Sequence, residues 1–207
     1  MSDPYFIPGT TVMVNKLGLV DADALARAEY LHSQLGAERI FAGEITVPTT
    51  FDGDHFRAVH RALLGKVYPW AGEYRTHTIM KDVTVFAQPA HIALYLEDAH
   101  EQIRAIRWEG MKASSFANAL TDIYPYWNQA HPFREGNGRT TRVIAEQLAN
   151  KAGYHLDFER FLRSPNMPEA WMQACALSSP YRGAYRPQPS DQLRQIFQLI
   201  TKPLGAP

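Results

Sequence analysis

Between residues 131 and 142 the chain reads His-Pro-Phe-Arg-Glu-Gly-Asn-Gly-Arg-Thr-Thr-Arg, and several of these side chains can take part in a reaction. His131, with an ordinary pKa of about 6.5, can take a proton near neutral pH. Glu135 offers a carboxylate, and Mg²⁺ usually draws only one or two from a protein when it also binds phosphate oxygens and keeps its waters. Gly136 and Gly138, on either side of Asn137, let an anion approach the backbone. A helix starting there leaves its first N–H groups unpaired and carries a partial positive charge. With a helix start near residue 139, Arg139 and Arg142 stand three apart on one face. Two forked guanidiniums beside a helix N-terminus can hold a polyphosphate. This is the inventory of a site that binds nucleotide phosphates and activates a hydroxyl against them.

Each residue also has a plainer use. A histidine near a turn is usually a surface or satisfied core residue, a Gly-x-Gly is usually a turn, and paired arginines are usually solvated. The weight lies in their joint occurrence, in an order that composes a single mechanism. Phe133 alternates with polar neighbours and reads as a core anchor for the loop.

The elements that must position this stretch are mostly helices. Residues 1–20, with Pro4, Pro8, Gly9 and Gly18, read as an irregular arm. Asp21 is a plausible N-cap for a first amphipathic helix running to about Arg39, carried by Leu25, Ala28, Leu31 and Leu35. A second helix, about 54–67, follows from Phe56, Val59, Leu63, Leu64 and Val67. β-Branched and aromatic residues from Tyr74 to Phe86 predict a β-hairpin over about 73–87. Its tip lacks glycine, which is unusual for a tight two-residue turn and favours a longer or distorted connection. Pro89 opens a long helix to about Trp108. The next, with Phe116, Leu120, Ile123 and Trp127, delivers the chain to His131, and Pro125 predicts a kink or break in it. A helix over about 139–151 stops at Gly153. The tail offers a short helix after Asp157, another from Pro168 through Leu177, and a last one from Ser190 to Ile200, ended by Pro203. The expected organisation is an arm (1–20), a core domain (21–155) and a helical extension (156–207) packed on the same domain. The fold class is mainly α with one hairpin.

Bulk composition narrows the partners. Lys plus Arg and Asp plus Glu both number 21, giving zero formal net charge, so no global field draws the chain to nucleic acid or anionic lipid. Cys175 is the only cysteine, which excludes an intrachain disulfide and a multi-cysteine zinc site, and it reads as a small hydrophobe in a helix. The first residues lack the pattern of a signal peptide, and no apolar run approaches the roughly 18 residues of a membrane span. A cytoplasmic location is the expectation, with export by a route that reads no such signal left open.

The stretch His131–Arg142 resembles the signature of the Fic family, H-x-F-x-(D/E)-G-N-G-R-x-x-R, at every specified position. The resemblance extends to His55-Phe56, His60, Tyr68-Pro69-Trp70-Ala71-Gly72-Glu73-Tyr74-Arg75, Pro8-Gly9-Thr10 and Asn15-Lys16-Leu17-Gly18, covering most of residues 5–155. It implies a helical core with a β-hairpin flap and a nucleotidyltransferase that moves AMP from ATP to a protein hydroxyl. By that resemblance His131 is the base and Glu135 the Mg²⁺ ligand. Gly136, Asn137 and Gly138 form the phosphate nest, and Arg139 and Arg142 grip the β- and γ-phosphates. Lys81, Asp82, Val83 and Thr84 would form the flap that aligns a target segment by strand addition. Relatives often carry glycine at the flap tip, where this chain has Lys81-Asp82. Gly138 favours AMP transfer, because related Doc-type kinases carry lysine there and turn the nucleotide around.

The family's inhibitory motif, (S/T)-x-x-x-(E/D)-(G/N), is absent. The acid-glycine pairs Asp52-Gly53, Glu109-Gly110 and Glu135-Gly136 follow Pro48, Ala105 and His131 at the required spacing. The chain therefore resembles stand-alone Fic toxins held in check by a small antitoxin carrying Ser/Thr-x-x-x-Glu-Gly. The targets in such relatives are DNA gyrase and topoisomerase IV, with no direct nucleic acid or membrane partner. Transfer of another phosphorylated group, such as UMP or phosphocholine, and a catalytically idle nucleotide- or partner-binding module are the rival readings.

Overall fold

Asp21 ends the arm by accepting a hydrogen bond from the Ala24 N–H, and α1 (Ala22–Phe41) follows. The computed structural model describes residues 3–81, 84–179 and 186–205. Helix α2 (Gly53–Leu64) is capped by Asp52, starts one residue ahead of the expected position, and ends before Val67. Gly36 lets the two helices pack closely, since a Cβ there would lie 2.7 Å from the Ala62 carbonyl oxygen. Helices α3 (Ile92–Arg104), α4 (Ala113–Ala130) and α5 (Asn137–Ala152) complete the core, with α4 packed against α3 and α5. A 3₁₀ turn, Pro89–His91, precedes α3, so the proline opens the segment as expected, while the helix itself stops short of Trp108.

Helix α4 runs unbroken through Pro125, so of the kink or break expected there the break does not occur. The proline removes one backbone donor, but Leu120, Ile123, Tyr124 and Trp127 around it are all buried, and that burial outweighs one hydrogen bond.

The hairpin is much shorter than 73–87. Strand β1 (Met80–Lys81) pairs antiparallel with β2 (Thr84–Val85), in the register Met80↔Val85 and Lys81↔Thr84. Asp82 and Val83, between the paired strands, lie outside the described residues, and so does the longer or distorted connection expected at the tip. The ladder stops because the flanking backbone bonds elsewhere: Arg75 N–H donates to the Pro132 carbonyl (2.9 Å) and Ala87 N–H to that of Gln129 (2.9 Å). The hairpin is thus rooted on the loop and helix that carry His131.

The tail contains α6 (Phe158–Arg163), capped by Asp157, α7 (Met167–Leu177), and α8 (Asp191–Ile200), capped by Ser190. Helix α8 lies on α4 and α7, with Phe197 packed among Tyr124, Phe158 and Trp171. A second sheet was not expected: β3 (Tyr154–Leu156) pairs antiparallel with β4 (Thr201–Pro203). Three-residue strands have too little alternation to announce themselves. Pro203, read as a stop, is the last strand residue instead. Among the described residues, no helix is long and apolar enough to cross a membrane.

Two histidines of α2 are fully buried and neutral. His55 Nδ1 accepts the Phe51 N–H (3.1 Å), so its Nε2–H donates to Gln147 Oε1 (2.8 Å). His60 Nδ1 accepts the Gly72 N–H (2.8 Å), so its Nε2–H donates to the Glu135 carbonyl (2.9 Å). Burial pushes both pKa values down to about 4. The unfolded chain binds these protons near pH 6.5 and the folded chain does not. Stability is therefore complete above about pH 6.5 and lost as pH falls toward about 4, at about 1.4 kcal/mol per pH unit for each histidine. Urea unfolding at pH 7 and pH 5 should show a clear drop in midpoint; a level midpoint would contradict the assignment.

Candidate active site

His131 caps α4 in the left-handed region (φ 38°, ψ 60°), one of three such non-glycine residues among those described. The conformation costs about 1–3 kcal/mol and persists only where surroundings enforce it. Here the ring stacks on Phe86, with centroids 3.7 Å apart and planes 15° from parallel, and the His131 carbonyl accepts from Arg75 Nε (2.8 Å). Nδ1 lies 3.3 Å from the Asn128 carbonyl, which can only accept, so Nδ1 holds the proton and Nε2 is left with a bare lone pair. Burial, reinforced by the charges of Arg75 and Lys81, pushes the pKa down to about 3 against the pull of the Asn128 carbonyl. The ring is a neutral base.

The loop from His131 to α5 is held by its own side chains. Phe133 is buried and stacks on His60 at 3.8 Å. The Asn137 side chain spends both ends on that residue: Oδ1 accepts the Phe133 N–H (2.8 Å) and Nδ2 donates to its carbonyl (2.7 Å). The Asn137 side chain is thus held by the loop, and its backbone N–H faces the helix start where a ligand would bind. Gly136 has φ 79°, and a Cβ there would lie 2.3 Å from Leu64 Cδ1, so backbone angle and space both demand glycine.

Helix α5 begins at Asn137, two residues earlier than expected, and its first intrahelical bond runs from Thr140 N–H to the Gly136 carbonyl (3.0 Å). The N–H groups of Asn137, Gly138 and Arg139 therefore lack intrahelical acceptors. Glu135 Oε1 accepts the Gly136 N–H (2.8 Å) and Arg139 Nη2 (3.2 Å), while Oε2 has no partner among the described residues. No cluster of three or more His, Cys, Asp or Glu suited to a metal occurs among them. One carboxylate fits a Mg²⁺ ion that arrives with phosphates, and does not suit an all-protein cage.

The two motif arginines differ. Arg139 is already paired, with Glu29 Oε2 of α1 (2.9 Å) and with Glu135. Glu29 in turn accepts a hydrogen bond from the Tyr68 hydroxyl. Arg142 is half-buried and makes no ion pair among the described residues, and burial lowers its pKa.

Gly138 is exposed and helical, and a Cβ there would meet nothing nearer than Arg142 Nη1 at 3.9 Å. The fold has no need of glycine there; an anion approaching the backbone does. Gly138→Ala should hold or raise stability by about 0.5–1 kcal/mol, as alanine replaces glycine in a helix, yet weaken nucleotide binding. Calorimetric titration with Mg·ATP beside a melting curve checks both signs, and unchanged affinity would refute the steric role.

These groups line a cleft of about 840 Å³, bounded by the motif, the hairpin (Lys81 and Thr84) and α7 (Glu169, Met172 and Gln173). Sequence reading assigned the tail no part in the site, and nothing local in α7 signals one. It likewise gave no role to Glu29 or Arg75. Only the resemblance included His60, Tyr68 and Arg75, as unassigned positions. Cys175 also lines the cleft, but burial pushes its thiol up to about 12, which leaves it protonated and unreactive.

Residues 50–149 match the Fic/DOC family model. The chain is 38% identical over 163 residues to the protein adenylyltransferase VbhT of Bartonella schoenbuchensis, a match that covers 78% of this chain but only 34% of that longer protein. It is 34% identical to a probable protein adenylyltransferase Fic of Salmonella typhimurium, with 83% of this chain and 82% of that one covered. The BepC protein of Bartonella tribocorum, whose crystal structure contains AMPPNP, superposes with a TM-score of 0.80 at 25% identity, over 96% of each chain.

Proposed function

The chain belongs to the Fic/DOC family, and from that premise we propose that it is a protein adenylyltransferase, moving AMP from ATP to a hydroxyl side chain of a target protein. One observation carries the reading. A neutral histidine, three N–H groups without intrahelical acceptors and a cation with no acid partner among the described residues converge on a single cleft. The relatives named as adenylyltransferases, and the AMPPNP held by BepC, support an adenine nucleotide as donor.

In this mechanism the free N–H groups of residues 137–139 and the guanidinium of Arg142 hold the phosphates, with Arg139 alongside. His131 Nε2 takes the proton of the target hydroxyl as its oxygen bonds to the α-phosphorus. The bond from that phosphorus to the bridging oxygen breaks, and pyrophosphate leaves. Glu135 would hold Mg²⁺, which when bound neutralises phosphate charge. The hairpin presents Lys81 and Thr84 to an extended target segment, and the exposed residues of β1 suit strand addition.

Control would come from a partner, since the sequence shows no inhibitory motif and Arg142 has no acid partner among the described residues. A cavity of about 460 Å³ reaches the other side of Arg139 and Arg142, walled by Tyr30, Gln34, Ala37 and Phe41 of α1. An antitoxin helix laid there, its glutamate meeting Arg142, is the partner proposed. DNA gyrase and topoisomerase IV in the cytoplasm are the proposed targets, on the strength of the toxin-type resemblance. Incubation of the chain with ATP and gyrase or topoisomerase IV subunits should transfer label from α-labelled and not γ-labelled ATP. Transfer of the γ-label would make it a kinase, and ATP binding with no product would make it an idle module.

A further inference from the structure

We propose that Arg75 is a positioning residue that locks the catalytic histidine and both roots of the flap into one frame; the proposal rests on the reading of His131 as the base for AMP transfer. Arg75 is 1% exposed, and among the described residues no carboxylate faces it. Its guanidinium donates only to backbone carbonyls. Nε donates to that of His131 (2.8 Å), Nη1 to that of His77 (2.8 Å), and Nη2 to those of Ala87 and Ala130, the latter at 3.3 Å. His77 precedes β1 and Ala87 follows β2, so one planar group spans the hairpin's entry, its exit and the end of α4.

A buried cation without a counter-ion is expensive, and an apolar side chain of similar volume would pack at lower cost. Only the guanidinium fork reaches carbonyls in several directions from one rigid plane; an ammonium is a point charge on a flexible stem. The consequence is mechanical. A target strand added to the hairpin is registered against the same group that fixes the His131 backbone, so the attacking hydroxyl and Nε2 meet in a set geometry. The charge acts too: it lies beside His131 and adds to the burial that keeps the imidazole neutral.

The test compares the wild-type chain with Arg75→Lys, which keeps the charge and removes the fork, and Arg75→Met, which removes both. Four quantities are read: AMP transfer from α-labelled ATP into bacterial lysate protein, the Kd for ATP, the pH profile of transfer, and hydrogen exchange of the amides at 77–81 and 84–88. Arg75→Lys should lose about 10- to 100-fold in transfer, keep its ATP Kd within about threefold, and exchange faster at both hairpin roots. Arg75→Met should in addition move the acid limb upward, toward the ordinary histidine value, while Arg75→Lys, which loosens the same packing but keeps the charge, should move it less. Should Arg75→Met fail to fold, Arg75→Lys and its exchange pattern decide alone. Wild-type transfer and protected roots in Arg75→Lys would overturn the proposal while leaving the adenylyltransferase reading intact. A wild-type chain that labels nothing would sink that reading instead, and the exchange comparison would still report whether Arg75 ties the hairpin.

Discussion

His131→Ala lowers AMP transfer by roughly a hundred- to ten-thousand-fold, the usual contribution of a positioned general base, while ATP binds with a Kd within about twofold of wild type. The two results separate because the imidazole contributes one atom to the chemistry and none to the phosphate grip. Nδ1 is committed to the Asn128 carbonyl, and the ring face to Phe86, so only Nε2 is free. The phosphate donors lie on α5 and its cap, held by Asn137, Phe133 and His60 independently of the ring. The backbone of His131 stays tied to Arg75 in the variant. A pH profile supplies a second check. Because the folded chain lowers this pKa to about 3, the base stays neutral as pH falls through 6.5. The acid limb of kcat/KM, measured with Mg·ATP, should therefore lie below about pH 5 and not near 6.5. Wild-type turnover by His131→Ala, or an acid limb at 6.5 in the wild type that disappears in the variant's residual rate, would remove one or the other part of this account.

Arg142→Ala weakens ATP binding by about 10- to 100-fold, the equivalent of one charge-assisted hydrogen bond of roughly 1.5–3 kcal/mol, without loss of stability. The sign of the second effect is the informative part. Arg142 is a half-buried cation with no ion pair among the described residues, and burial already disfavours its charge. Its removal relieves the folded state, so the melting temperature should hold or rise. Arg139→Ala is the contrast. It strips the partner from Glu29, a carboxylate whose side chain is 13% exposed, and leaves a mostly buried charge with only the Tyr68 hydroxyl. That variant should melt lower. Equal melting temperatures for the two, with ATP affinity unchanged in Arg142→Ala, would refute the division between a ligand-binding arginine and a structurally paired one.

Much of this was legible in the residue order because it is local. Side-chain caps announce helix starts within three residues, as at Asp21, Asp157 and Ser190. Apolar periodicity announces the buried faces of α4, α5 and α8. The readings that failed involve long-range competition. The hairpin is short because its flanking backbone groups bond to Pro132 and Gln129, and α4 survives Pro125 because its neighbours bury the residues around it.

The same division runs through the site. Histidine, carboxylate, glycines and arginines within one turn and one helix start have their chemistry dictated by residue type and spacing, so the motif from 131 to 142 could be read in isolation. What spacing does not carry is occupancy: which groups are spent on the protein and which remain for a ligand. Glu29 takes Arg139 across 110 positions, His60 holds the Glu135 carbonyl across 75, and Arg75 ties His131 across 56. Hydrogen bonds and ion pairs are satisfied between whatever packing brings within about 3 Å. Among the described residues, a free Nε2 on His131, an Arg142 without an ion pair and an open backbone at Gly138 are therefore properties of the packed molecule.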